Sequence, residues 1–171
     1  VVENPPTIET ITYRELRELA YMGATVLHDE AIFPVRYTGI PINIRNTNAP
    51  DDPGTMIVRE AENTDPRHVI TGIAGKKNFS VIAIEKDMMN AEIGFGRKVL
   101  EVLENYDISF EHMPSGIDAM CVIVPTEALE GKREQLLRSI QRQTHADHIE
   151  IQDGMCLIAV VGRGMVRAKG T

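Results

Sequence analysis

Residues 79–106 switch hydrophobic period once, and that switch restricts the fold more than any other feature of the chain. Phe79-Ser-Val-Ile-Ala-Ile-Glu85 is rich in β-branched residues and bounded by Lys77-Asn78 and Asp87, which predicts a strand. From Phe95 onward apolar residues fall at 95, 99, 102, 103 and 106, one stripe of a 3.6-residue period, which predicts a helix. Between them lies Ala91-Glu-Ile-Gly-Phe-Gly-Arg-Lys-Val-Leu100, with Gly94 and Gly96 at the helix mouth. Glycines there let a ligand's polar head approach backbone N–H groups that lack an intrahelical partner and carry partial positive charge. That geometry suits a carboxylate. The same Gly-x-Gly spacing also serves as ordinary turn chemistry.

The remainder of the chain divides into unlike parts. In residues 1–58, Thr12-Tyr-Arg-Glu15 reads as a capping box opening a short helix, with Leu16, Leu19 and Ala20 facing inward and Gly23 as its stop. Val26-Leu27, Ile40 to Ile44 and Thr55 to Val58 are short apolar segments, read as strands of an α/β sheet. They are too few to close both faces of such a sheet, so the part reads as the tail of a larger domain. Residues 59–68 read as a polar linker.

After the linker the order is regular. Val69 to Ile73 and Phe79 to Ile84 predict a hairpin across Gly75-Lys-Lys-Asn78, followed by a helix near 92–106. Ile108 to Met113 and Ala119 to Val124 predict strands flanking Pro114-Ser-Gly-Ile-Asp118. A second helix is expected from Thr126 to Arg142 and a closing strand at His148-Ile-Glu-Ile151. β-α-β-β-α-β is the ferredoxin-like arrangement, an α+β fold with two helices on one face of a sheet. Ile82-Ala83 recurs as Ile158-Ala159, Met89 as Met165 and Gly94 as Gly170, so Met155 to Val161 reads as the first strand of a second, truncated unit.

Composition excludes several classes. A net charge of -7, no Lys/Arg block and 5% aromatics argue against a nucleic-acid surface. There is no apolar run of membrane length and no signal-peptide pattern, so a cytoplasmic protein with no membrane partner is expected. Cys121 and Cys156 sit in apolar runs and read as small buried hydrophobes. His28, His68, His112, His145 and His148 show no metal-ligand spacing, and Asp51-Asp52 between two prolines reads as a turn, so no metal site is expected.

Residues 11–28, from Ile11-Thr-Tyr-Arg-Glu to Gly23-Ala-Thr-Val-Leu-His28, resemble the last part of the aspartate kinase catalytic domain. A Gly-Ala-Lys-Val-Leu-His type motif lies against the nucleotide there. Ile40-Pro-Ile-Asn-Ile44 and Asp52-Pro-Gly-Thr55 resemble that domain's closing strands. Residues 69–152 resemble the first ACT regulatory domain of the family, and 153–171 the start of the second. The resemblance implies an amino-acid-sensing segment of an enzyme that phosphorylates the β-carboxylate of aspartate with MgATP, toward lysine, threonine and methionine. The family's Lys-Phe-Gly-Gly motif and aspartate-binding residues are not in this chain, so no catalytic residue and no cofactor is assigned to it. Thr25, where the motif usually has Lys or Arg, and Val26 would be nucleotide-adjacent. Met89, Glu92, Gly94, Phe95 and Gly96 align with the family's effector loop. Ser109, Phe110, Glu111, Ser115 and Asp118 complete the implied effector set, whose ligand is lysine, or else threonine or methionine, held between paired ACT domains of a homo-oligomer. The other reading is a non-catalytic ACT-type dimerisation module whose ligand site is vestigial.

Overall fold

The computed structural model describes residues 6–24, 26–27, 29–61, 69–163 and 165. The chain packs as two units, one formed by residues 1–76 with 158–171 and one by 77–157. These limits differ from the boundaries expected at 58/59, 68/69 and 152/153.

The first unit begins with β1 (Thr10–Thr12) and α1 (Tyr13–Tyr21). The capping box at their junction forms as the sequence predicts. The Thr12 hydroxyl accepts from the Glu15 amide at 3.3 Å, and the Glu15 carboxylate accepts from the Thr12 amide at 2.8 Å. The helix ends at Gly23, whose φ of 104° is a conformation that costs other residues a Cβ clash. A 3-10 turn over Asp29–Ile32 leads into α2 (Phe33–Arg36). Then come β2 (Ile42–Ile44) and β3 (Thr55–Val58). β3 is central, parallel to β1 and antiparallel to β2. Val26-Leu27 is a turn, not a strand. Ile11, Tyr13, Leu16, Leu19, Ile32, Ile57 and Val161 form this unit's core, with Ala74 and Ala159 packed against it.

The other unit's sheet is carried by β4 (Gly72–Glu85), one continuous strand of 14 residues. The hairpin expected at 75–78 does not form. A two-residue hairpin turn needs positive φ at the first or both central positions, here Lys76 and Lys77. Neither has it; only Asn78, at 70°, is left-handed, and the strand carries on. Next come a 3-10 turn at Met89–Ala91 and α3 (Phe95–Asn105). β5 (Ala119–Pro125) pairs antiparallel with β4, from Phe79↔Pro125 to Glu85↔Ala119.

The strand expected at 108–113 is reduced to one bridge, His112↔Ile123, and a second, Ser115↔Met120, falls in the turn that follows. Glu111 donates to the Ile123 carbonyl while Ile123 donates back to His112, so two residues oppose one as in a bulge. Pro114 also lacks an N–H for the ladder. The expected 126–142 helix is split into a 3-10 turn at Thr126–Leu129 and α4 (Arg133–Thr144). Between them Gly131 sits at φ 69°, which breaks a helical run.

β6 (His148–Val161) is also one strand of 14 residues, so the closing strand and the expected start of a further unit are a single element. It lies on the other edge of β4, and the Asp147 amide before its start donates to the Glu85 carbonyl at the end of β4. Cys121 is half-buried and Cys156 exposed, which corrects the expectation that both are buried. Alternate residues Ile82 and Ile84 of β4 and Val122 and Val124 of β5 meet Phe95, Val99, Val102 and Leu103 of α3 and Leu136 and Ile140 of α4. This is the α+β, ferredoxin-like core, with both helices on one sheet face.

Close backbone approach fixes one position in the first unit. A Cβ on Gly162 would lie 1.9 Å from the Val69 carbonyl oxygen, a backbone atom that cannot rotate away. Gly162→Ala is therefore expected to lower unfolding stability by about 1–3 kcal/mol, the range for overpacking, read as a lower urea midpoint by circular dichroism.

Candidate effector site

The loop from Lys86 to Gly94 is fastened at both ends. Lys86, just past β4, donates through its amide to the Asp118 carbonyl at 2.9 Å, and through Nζ to the Thr144 carbonyl at 2.7 Å. The Asp87 amide donates to Asp147 Oδ2 and the Met88 amide to Asp118 Oδ1, at 2.8 and 2.9 Å. Met88 needs that help, since its φ of 61° is left-handed in a residue with a Cβ. The 3-10 turn then buries Met89 and delivers Glu92 to the helix mouth.

Glu92 sits between two ammonium groups, its Oε2 2.5 Å from Lys86 Nζ and its Oε1 2.6 Å from Lys98 Nζ. All three side chains are only about a quarter exposed, so the pairing is sheltered from water. Hydrogen bonds from Lys86 and then Lys98 lower its pKa to about 2, against the small upward push of burial. Gly94 follows at φ 82° and opens α3 without a side-chain cap. The nearest atom to a Cβ placed there would be Arg97 Nε at 3.9 Å, so the space before the helix is open. At Gly96 a Cβ would sit 3.5 Å from Met120 Cε, which makes that glycine a seat for the β5 side chain.

The expected site residues separate into groups. Glu92, Gly94 and Gly96 share the helix mouth, and Ser115 and Asp118 lie on the turn whose carbonyls at Ile117 and Asp118 receive the Asn90 and Lys86 amides. Met89 and Phe95 are buried in the core at 4% and 3% exposure, where they position the loop and cannot line an open site. Ser109, Phe110 and Glu111 follow the far end of α3, a helix of 11 residues and so about 16 Å long. One chain does not bring these three to the helix mouth. Lys86, Lys98, Thr144 and Asp147 were missed by sequence reasoning. Lys86, Glu92 and Lys98 fall just past a strand, after a turn and within a helix, so no single period links them.

In the first unit, Thr25 and His28 lie outside the described residues. Val26 lines a cavity of about 680 Å³ together with Glu9, Arg45, Asp52, Gly54 and Thr55. Val26 and the Asp52-Pro-Gly-Thr55 stretch, the two segments likened above to a kinase domain, thus share one concavity. Among the described residues no group of His, Cys, Asp and Glu could hold a metal ion, and no helix is long and apolar enough to cross a membrane.

The second unit is an α+β, ferredoxin-like domain of the ACT type with a fastened loop at the mouth of its first helix. The comparisons agree with that reading and extend it to the whole chain. It is 43% identical over 171 residues to aspartokinase 3 of Bacillus subtilis, covering 99% of this chain and 37% of that protein. The crystal structure of Clostridium acetobutylicum aspartate kinase matches with a TM-score of 0.90 and 56% identity, over 99% of this chain and 39% of that one. Escherichia coli aspartokinase III, solved in complex with lysine and aspartate, shares the fold with a TM-score of 0.69 at 22% identity, over 90% of this chain and 34% of that one. No family model matches the chain. The chain is a segment of the aspartokinase family, and it spans under two fifths of the length of these relatives.

The Glu92 pairing has a direct pH signature. Its folded-state pKa lies below its ordinary value of 4.5, so its contribution to stability is present above 4.5 and lost as pH falls toward about 2. Carbon-detected NMR titration is expected to place the Glu92 carboxyl midpoint near 2 in the wild type. Lys98→Gln should move it upward, toward 4.5.

Proposed function

We infer that this chain is the amino-acid-sensing, regulatory segment of an aspartate kinase, which transfers the γ-phosphoryl group of MgATP to the β-carboxylate of aspartate. Catalysis in such a reaction is mostly positioning and electrostatic stabilisation of the transferred group. The segment's own task is to bind an amino acid and bias the enzyme between active and inhibited states, which requires different affinity for the ligand in the two.

The observation that carries this reading is the open, left-handed Gly94 at the uncapped start of α3, beside the half-buried charges of Glu92, Lys86 and Lys98. Backbone N–H groups at the helix mouth are suited to the ligand's carboxylate. A free carboxylate oxygen of Asp118, whose Oδ1 already holds the Met88 amide, is suited to its ammonium group. The Clostridium enzyme is described as allosteric, and the Escherichia coli enzyme was solved with lysine. Lysine is the leading candidate here, with threonine and methionine as alternatives.

A second copy completes the site on this reading. Ile93, 99% exposed, stands with Met88 and Ile117 as exposed apolar groups on the loop and on the turn beside it, a surface suited to a facing domain. Ser109, Phe110 and Glu111, remote from the mouth within one chain, would then enter from the partner.

Two measurements test the reading. Calorimetry of the chain with lysine, threonine and methionine should show one of them binding, and Gly94→Ala should weaken it while preserving the circular dichroism spectrum. A vestigial dimerisation module would bind none at millimolar concentration. The chain alone should show no aspartate-dependent ADP release, and release above background would overturn the assignment of catalysis to other parts of the enzyme.

A further inference from the structure

We propose that the first unit carries a separate ligand site, a cationic hollow between α1 and α2 that takes the phosphate groups of a small polyphosphate-bearing molecule. Arg14, Arg17, Glu18 and Tyr21 are exposed and spaced i, i+3, i+4 and i+7, so they share one stripe of α1, while Leu16 and Leu19 are buried in the core. Arg36, in the last turn of α2, faces that stripe, and the five residues line a cavity of about 570 Å³. A hollow of that size is in the range of small-molecule sites. It shares no lining residue with the cavity beside Val26. Three guanidinium groups against the one carboxylate of Glu18 leave the lining positive, on a chain whose net charge is -7. Lys76 brings a further cation to 5.6 Å from the Tyr21 ring.

The guanidinium groups are placed in advance and still have donors to give. Arg17 lies over the Phe33 ring at 5.2 Å, a contact that ties α1 to α2 and leaves the N–H donors in the guanidinium plane available. Arg14 bonds Glu18 through Nε at 3.2 Å, and its terminal nitrogens are unengaged among the described residues. Arg97, Arg133 and Arg138 each hold a carboxylate, whereas Arg17 and Arg36 hold none among the described residues. Forks that reach one hollow from two helices suit a group whose oxygens point apart. A phosphate has three such oxygens, and a chain of two or three phosphates spreads its charge along the whole stripe. A carboxylate presents two oxygens in one plane, enough for a single fork. Glu18 opposes any anion in the hollow and occupies part of Arg14, so it weakens the site it lines.

Calorimetry and thermal unfolding of the chain with pyrophosphate, tripolyphosphate and citrate test the site. Tripolyphosphate should bind more tightly than pyrophosphate, raise the unfolding temperature, and lose affinity as sodium chloride is added. Arg36→Gln should weaken it by about tenfold to hundredfold, the effect of one charged hydrogen bond. Arg36→Lys should recover only part of that loss, since it restores the charge without the fork. Glu18→Gln should tighten binding, a gain that damage to the fold could not produce. Arg142→Gln, which removes an equal charge from α4 in the other unit, should leave the affinity unchanged. The proposal is overturned if neither phosphate chain binds at millimolar concentration, or if citrate binds as tightly as tripolyphosphate. It is overturned equally if Arg142→Gln costs as much as Arg36→Gln, because the attraction is then general. Should Arg45→Gln abolish binding that Arg36→Gln spares, the phosphates sit in the cavity beside Val26 and the assignment to α1 and α2 is wrong. None of these outcomes touches the effector reading, whose residues lie in the second unit.

Discussion

Strand β4 is the element that the rest of the second unit depends on. As the central strand it must satisfy backbone groups on both edges, and β5 and β6 supply them. Its alternation then does two things at once. Ile82 and Ile84 point to the helices and are fully buried, which sets where α3 and α4 can lie. The end of the strand presents Lys86 beyond the sheet, where its ammonium reaches Glu92 and the Thr144 carbonyl. A one-residue slip of register would reverse both outcomes, exposing the isoleucines and redirecting the lysine.

Multiply hydrogen-bonded carboxylates recur as fasteners, Glu15 buried and Asp153 exposed, and each is held for a countable reason. Glu15 is 5% exposed, and burial alone would raise its pKa. Donation from Thr12 and Thr71 and the charge of Arg163, 3.2 Å away, outweigh that and lower it. Asp153 is held by both nitrogens of Arg133, at 2.7 and 2.9 Å, and by the fully buried Ser80 hydroxyl at 2.6 Å, and its pKa is lowered in the same direction. Each of these contributes stability above its ordinary pKa that is lost on acidification, so acid should loosen both units by the same physics. The partners come from distant sequence positions, such as Glu15 with Thr71 and Arg163, which is why the knots hold separate segments together.

What the residues disclose without a structure is local. The capping box, the apolar stripe of α3 and the inward residues of α1 follow from nearest-neighbour geometry, and they form as expected. The errors fall where a turn signal competes with continuity. Gly75-Lys-Lys-Asn78 has turn composition, yet a strand paired on both sides can absorb a single left-handed Asn78 without reversing. Met155 to Val161 resembles a fresh strand because Ala159 and Val161 face a second apolar core, and an alternating pattern carries no mark of which core it serves. For the site, Gly94 and Glu92 announced themselves by position beside a helix start. Lys86 and Lys98 did not, because only the closed loop brings charges six residues apart onto one carboxylate.

The arrangement of Lys86 also indicates how a ligand at the helix mouth would be felt inside its own domain. Its three ammonium hydrogens serve Glu92 on the loop and the last-turn carbonyl of Thr144 on α4. Carbonyls at a helix C-terminus have no intrahelical donor and carry partial negative charge, so a cation there stabilises the helix end by about 0.3–1 kcal/mol at exposed sites. Any ligand group that drew on the Glu92 carboxylate would alter how strongly Lys86 is drawn toward the loop and away from Thr144. The following residue, His145, is left-handed at φ 52° and ends α4, with Asp147 two residues on holding the Asp87 amide. Loop and helix end are therefore tied twice, once through Lys86 and once through Asp147. A change at Glu92 reaches the end of α4, and with it the start of β6, through bonds that already exist. Coupling of this kind needs no rearrangement of the core, only a redistribution of one lysine's hydrogen bonds between two acceptors it already holds.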